Sequence, residues 1–125
     1  MRLNRVLLFV KDLPRMASFY GELLGVKPVA TTQSETWVEF ETRCATIALH
    51  VIPASIASTI EVRTPPEPRD DTPIKLMFEV ADLKTECQRL EVLGATLIRR
   101  PWAAVDAIDP EENIIQIYST SPRTG

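Results

Sequence analysis

Two stretches of the chain switch from the two-residue period of a strand to the longer period of a helix, and they do so at matching places. Residues 5–13 read Arg-Val-Leu-Leu-Phe-Val-Lys-Asp-Leu, and residues 75–83 read Lys-Leu-Met-Phe-Glu-Val-Ala-Asp-Leu. At an offset of 70, Val10 falls on Val80, Asp12 on Asp82, Leu13 on Leu83 and Arg5 on Lys75. Asp12 and Asp82 are suited to cap a helix, because a short carboxylate accepts the free amides of the first turn. Pro14 fits that first turn, where its missing N–H costs nothing. Met16, Phe19, Tyr20, Leu23 and Leu24 then recur at helical spacing up to Gly25; Leu83, Cys87, Leu90 and Leu93 do so up to Gly94. Both helices are predicted to run about a dozen residues.

Apolar runs after each helix predict strands at 26–31, 36–42 and 44–52, then at 95–100, 103–108 and 113–119. The expected architecture is α+β, two tandem β-α-β-β-β modules at 1–53 and 74–119. The connection 54–73 holds Pro65, Pro66, Pro68 and Pro73, and Pro53 precedes it, a density that breaks helices and strands. A short strand at 58–63 is the one element expected near it. A frayed tail is expected at 120–125.

Composition narrows the function classes. With 125 residues, 45% apolar and 25% charged, the chain fits one soluble domain. A net charge of −3 without a basic stripe argues against nucleic acid. No apolar run approaches the roughly 18 residues that would span a bilayer. Arg2 and Arg5 lead straight into a strand-like run without a small-residue cleavage site, unlike a secretory signal. Cys44 and Cys87 form no Cys-x-x-Cys pair; Cys87 lies on the apolar helical stripe and Cys44 is expected to begin a strand. A reducing cytoplasm suits such a chain.

Three stretches resemble the vicinal oxygen chelate superfamily, which includes glyoxalase I, extradiol dioxygenases, fosfomycin-resistance enzymes and bleomycin-resistance proteins. They are Phe9-Val-Lys-Asp-Leu13 with Ser18-Phe19-Tyr20 and Leu23-Leu24-Gly25; Phe78-Glu-Val-Ala-Asp-Leu83; and Asp109-Pro110-Glu-Glu-Asn113-Ile-Ile-Gln116-Ile-Tyr118. The last resembles an Asp-Pro-Asp-Gly-Asn-x-x-Glu motif but has Glu112 where glycine is usual, so a differently built turn is expected there. The resemblance implies paired modules whose eight strands curl into a glyoxalase/bleomycin-resistance-like cup, and a homodimer, often with modules exchanged between chains.

In metal-dependent members the resemblance implies ligands on the first and last strand of each module. Those positions here are Arg5 and Lys75, then Ala48 and Gln116. A guanidinium has no lone pair to give, alanine has no donor atom, and lysine must first lose a proton. One neutral amide does not hold a divalent ion. No metal and no cofactor are therefore expected.

Strand alternation assigns the side chains that share the cup face. Leu7 and Phe9 go with Arg5; Met77 and Glu79 with Lys75; Thr46 and His50 with Ala48; Ile114 and Tyr118 with Gln116. Val38 and Phe40 suit the core, which leaves Trp37, Glu39 and Glu41 facing the cup. Apolar walls with a few charges suit a small-molecule ligand. Arg5 and Lys75 suggest an anion subsite, unless Glu39, Glu41 or Glu79 neutralises them. Trp37 and Trp102 are candidates for stacking on a planar ligand, and Trp102 alternatively packs under the Arg99–Pro101 bend. Three functions follow: metal-independent binding of a small organic ligand; a lyase, isomerase or dioxygenase with a displaced or non-metal site using His50, Glu39 or Glu79; or a regulatory or structural module whose cup is vestigial.

Overall fold

A computed structural model of the chain describes residues 1–101 and 104–120. Trp102 and residues 121–125, where the stacking residue and most of the frayed tail were expected, lie outside the described residues. The chain divides into two compact units, Met1–Val62 and Arg63–Gly125.

The first unit holds β1 (Arg5–Val10), α1 (Leu13–Leu24), β2 (Trp37–Glu41), β3 (Thr46–Val51) and α2 (Ala54–Ala57). Its sheet has the order β1-β3-β2, with β1 parallel and β2 antiparallel to β3. Asp12 caps α1, its Oδ1 accepting from the Arg15 amide at 3.1 Å, a contact of the kind worth about 1 kcal/mol. Gly25 closes the helix at φ 67°, which glycine adopts without a Cβ penalty. Leu13, Met16, Tyr20 and Leu23 are buried on α1. On the sheet, Val10, Val38, Phe40, Ile47 and Leu49 are buried, and α1 packs on β2 and β3. Gly21 allows that approach: a Cβ there would lie 3.3 Å from Cε1 of Phe40.

The second unit holds β4 (Leu76–Glu79), α3 (Leu83–Val92), β5 (Thr96–Arg99), β6 (Ala104–Ile108) and β7 (Ile114–Tyr118). Its sheet has the order β4-β7-β6-β5, with β4 parallel to β7 and the remaining pairs antiparallel. Asp82 caps α3 by accepting from the Thr85 amide at 3.3 Å and its hydroxyl at 2.9 Å. Cys87 and Leu90 are buried on α3, as the apolar stripe predicts.

The described residues form seven strands, not the eight expected. Segment 26–31 is not a strand, and the physical reason is local. Pro28 has no N–H to offer, Val29 makes one bond to the Glu39 carbonyl at 2.9 Å, and the chain then turns through residues 30–32. The strand at 58–63 is likewise absent. After Pro53 a single helical turn, α2, forms instead, and the Thr59 and Ile60 amides bond back to Ile56 and Ala57 at 3.0 and 3.1 Å. Those local bonds use the donors that a ladder would need. Cys44 is exposed in the loop before β3 and does not begin the strand.

The Asp109–Asn113 turn corrects another expectation. Glu112 adopts φ 76°, the left-handed conformation that glycine favours, so this position keeps the backbone class that the motif's glycine would take. Asp109 braces the turn, accepting from the Glu111 amide at 2.9 Å and from the Asn113 amide and side chain at 3.0 and 2.8 Å. The Glu112 carboxylate, buried, accepts from Arg63 Nε at 3.0 Å and the Glu67 amide at 2.7 Å. Those bonds hold residues 63–67 against the turn and offset the strain of a non-glycine residue at positive φ.

Candidate functional site

The face of the first sheet opposite α1 is organised in three rows by the strand register. Phe9, His50 and Trp37 form one row; Leu7, Ala48 and Glu39 the next; Arg5, Thr46 and Glu41 the third. Every residue assigned to this face by alternation stands on it, because a strand's side-chain period is two and the pairing has no bulge.

The aromatic row is closely built. The His50 ring lies 5.9 Å from Phe9 at 63° and 5.9 Å from Trp37 at 82°, both edge-to-face arrangements. His50 Nδ1 lies 2.7 Å from the Val51 carbonyl. A carbonyl only accepts, so Nδ1 carries a proton and donates to it, and Nε2 is the ring nitrogen not used in that bond. Phe9 is 66% exposed, a large apolar surface for a strand residue.

Glu39 is buried in the middle row and is the centre of a small polar network. It accepts from Trp37 Nε1 at 3.2 Å and from the Thr32 hydroxyl at 3.1 Å, and Arg5 Nη2 lies 3.6 Å away. The Arg5 guanidinium also sits 5.8 Å from the Trp37 ring centre, within cation–π range. One of the carboxylates named as a neutralising partner therefore pairs with Arg5, while Glu41 does not take that role.

In the second sheet, Met77, Gln116, Asp106 and Ile98 form one row, and Glu79, Tyr118 and Ala104 the next. Lys75 immediately precedes β4. Its Nζ is 3.2 Å from Asp106 Oδ2. Arg100 contacts the same oxygen through Nε at 2.8 Å and Nη2 at 2.6 Å. Gln116 Nε2 donates to the other oxygen at 3.2 Å. Asp106 is 0% exposed. Burial pushes its carboxyl pKa up, but hydrogen bonds from Arg100, Gln116 and Lys75 outweigh that and hold it below the ordinary aspartate value. Glu79 does not pair with Lys75; it accepts from the Thr120 hydroxyl at 2.7 Å.

Sequence reasoning missed Asp106 and Arg100. The signal was available: Asp106 is the one carboxylate in the apolar run Ala104-Val105-Asp106-Ala107-Ile108, and its parity puts it beside Gln116. A carboxylate in such a run needs partners on its own face.

The residues at the four positions where the resemblance implies metal ligands do not fit a divalent ion. Ala48 has no donor, Arg5 and Lys75 are cations engaged with carboxylates, and Gln116 donates to Asp106. Asp106 itself already faces two cations. Among the described residues, no three His, Cys, Asp or Glu side chains gather as a metal-binding group. Among the described residues, no helix is long and apolar enough to cross a membrane.

Solved structures share the fold at low identity. One is a glyoxalase/bleomycin resistance protein/dioxygenase family enzyme from Burkholderia phytofirmans PsJN, at TM-score 0.74 and 21% identity, covering 97% of this chain and 100% of that one. Another is TnmS3, an antibiotic binding protein from Streptomyces sp. CB03234, at TM-score 0.66 and 18% identity, with 97% of each chain covered. A third is the genomically encoded fosfomycin resistance protein FosX from Listeria monocytogenes, at TM-score 0.67 and 14% identity, covering 93% of this chain and 88% of that one. No curated protein matches the chain. The family model of the glyoxalase/bleomycin resistance protein/dioxygenase superfamily matches residues 2–113, and the chain belongs to that superfamily.

Proposed function

We propose that the chain is a metal-independent binding protein for a small planar organic molecule. The observation that carries this reading is the row Phe9–His50–Trp37, three rings on one sheet face, with Leu7 beside it and the Arg5 guanidinium reaching the Trp37 ring. Rings held edge-to-face by the sheet offer a pre-arranged surface, so a flat ligand loses little conformational freedom of the protein on binding. His50 Nε2 adds one hydrogen-bonding atom to orient it. That an antibiotic-binding protein shares the fold agrees with this reading. A homodimer in the cytoplasm is part of the same proposal, and sedimentation of the purified chain tests its oligomeric state.

The test is a thermal-shift screen with aromatic and heteroaromatic compounds, joined to metal analysis of the purified protein. A ligand that binds only the folded state raises the melting temperature. The expected result is a shift that Trp37→Ala and His50→Ala both remove, in protein free of bound transition metal. Stoichiometric metal, lost together with a catalytic activity on chelation, overturns the reading in favour of a lyase, isomerase or dioxygenase.

A further inference from the structure

The two sheets carry the same polar device with different charge. In each, a cation at the start of the first strand meets a buried carboxylate two strands away: Arg5 with Glu39 at 3.6 Å, Lys75 with Asp106 at 3.2 Å. In each, a further donor comes from the segment bonded to the outer side of the carboxylate's strand. In the first unit that donor is the Thr32 hydroxyl, and in the second it is the Arg100 guanidinium. Arg5 with Glu39 therefore sums to zero, while Lys75, Arg100 and Asp106 sum to +1.

We propose that Lys75 and Arg100 form a binding pair for a compact oxyanion, a carboxylate or phosphate group, with Asp106 as the buried residue that positions them. Asp106 is committed: Oδ2 takes both cations and Oδ1 takes the Gln116 amide. The cations are not. Their side chains are 39% and 30% exposed, and each has N–H donors beyond those spent on Asp106. Among the described residues, Asp106 is the one carboxylate within ion-pair distance of either. Two long side chains converging on one oxygen are held in place before a ligand arrives, which removes much of the entropy cost that a lysine and an arginine normally pay on binding an anion. Arginine adds planar donors suited to a second oxyanion edge. In this proposal Lys75 works with Arg100, and Arg5, paired with Glu39, is not part of it. The proposal does not depend on the aromatic row of the first unit.

The test is a titration of the full chain with inorganic phosphate and, separately, acetate, at ionic strength fixed with sodium chloride, followed by amide NMR shifts. Saturable shifts at residues 75, 100 and 116 are expected. Lys75→Gln and Arg100→Gln should each weaken binding roughly tenfold or more, the scale of one charge-assisted hydrogen bond. Arg99→Gln serves as control, since Arg99 pairs with Glu91 at 2.7 Å and lies outside the cluster. Lys75→Arg should retain binding, so the reading is decided even if Arg100→Gln does not fold. Shifts that do not saturate, or equal affinity in folded Lys75→Gln protein, overturn it. Saturation by phosphate alone assigns the site to phosphate-type groups, and saturation by both assigns it to oxyanions generally.

Discussion

Glu39 and Asp106 hold the same place in two different sheets. Glu39 stands opposite Ala48 and Asp106 opposite Gln116, each on the strand paired antiparallel with the last strand of its unit. Each takes the cation from the start of the first strand of its own unit. The duplication visible in residues 5–13 and 75–83 therefore extends to a buried carboxylate that no matching motif marks.

The two carboxylates are not equally costly to remove. Asp106→Asn leaves Lys75 and Arg100 facing each other without an intervening charge, whereas Glu39→Gln leaves one half-exposed guanidinium (48%) that water can solvate. Asp106→Asn should lower unfolding free energy by about 1–3 kcal/mol, and Glu39→Gln by less. Urea denaturation of the two variants side by side checks the order, and an equal or reversed loss refutes it.

Arg5 itself should contribute little to stability. It is a half-exposed partner in a 3.6 Å ion pair, and such surface pairs are worth about 0–1 kcal/mol. Arg5→Met should leave the urea midpoint within that range. A loss of several kcal/mol would mean that Glu39 depends on Arg5 rather than on Trp37 and Thr32.

Asp106 also predicts a pH dependence with a definite sign. Its folded-state pKa lies below the unfolded value of about 3.9. A depressed carboxyl contributes stability that is present in full above the unfolded pKa and is lost as pH falls through the folded pKa. The chain should therefore be insensitive to this group from neutrality down to about pH 4 and weaken below it. Asp106→Asn should flatten that acid limb; the measurement is unfolding free energy against pH for both proteins.

Glu112 ties residues 63–67 to the β6–β7 turn. Its carboxyl is held below the ordinary glutamate pKa by the Glu67 amide first and by Arg63 second. Glu112→Gly keeps the left-handed backbone that the turn needs but removes the acceptor. Hydrogen exchange at the Glu67 amide should then accelerate while the Asn113 amide, bonded to Asp109, stays protected. Acceleration at both positions would show instead that Glu112 supports the turn as a whole.

The aromatic face was legible in the sequence because it depends on parity alone. Once β1, β2 and β3 are strands, Leu7, Phe9, Trp37, Ala48 and His50 must share a side. The helices were legible for a similar reason: Asp12, Pro14 and Gly25 are local signals, and the capping bonds form within three residues. The course of residues 26–31 was not legible because an apolar run does not reveal whether a partner strand will accept its amides, and Pro28 with the turn at 30–32 leaves a single bond to β2.

What the sequence determined by itself is what local geometry and covalent chemistry dictate: the repeated strand-and-helix unit, the faces of its strands, and side chains at Arg5, Ala48, Lys75 and Gln116 that cannot ligate a divalent ion. What only the tertiary structure decided is which charge meets which. Lys75 pairs with Asp106, 31 positions along the chain, and not with Glu79, because β7 lies between β4 and β6 and sets their register. The same register brought Arg100 to that oxygen and left the Glu39 network without a second cation. Electrostatic partners across a sheet are separated by ångströms in space but by dozens of residues in sequence, so the balance of charge on each face exists only once the strands are paired.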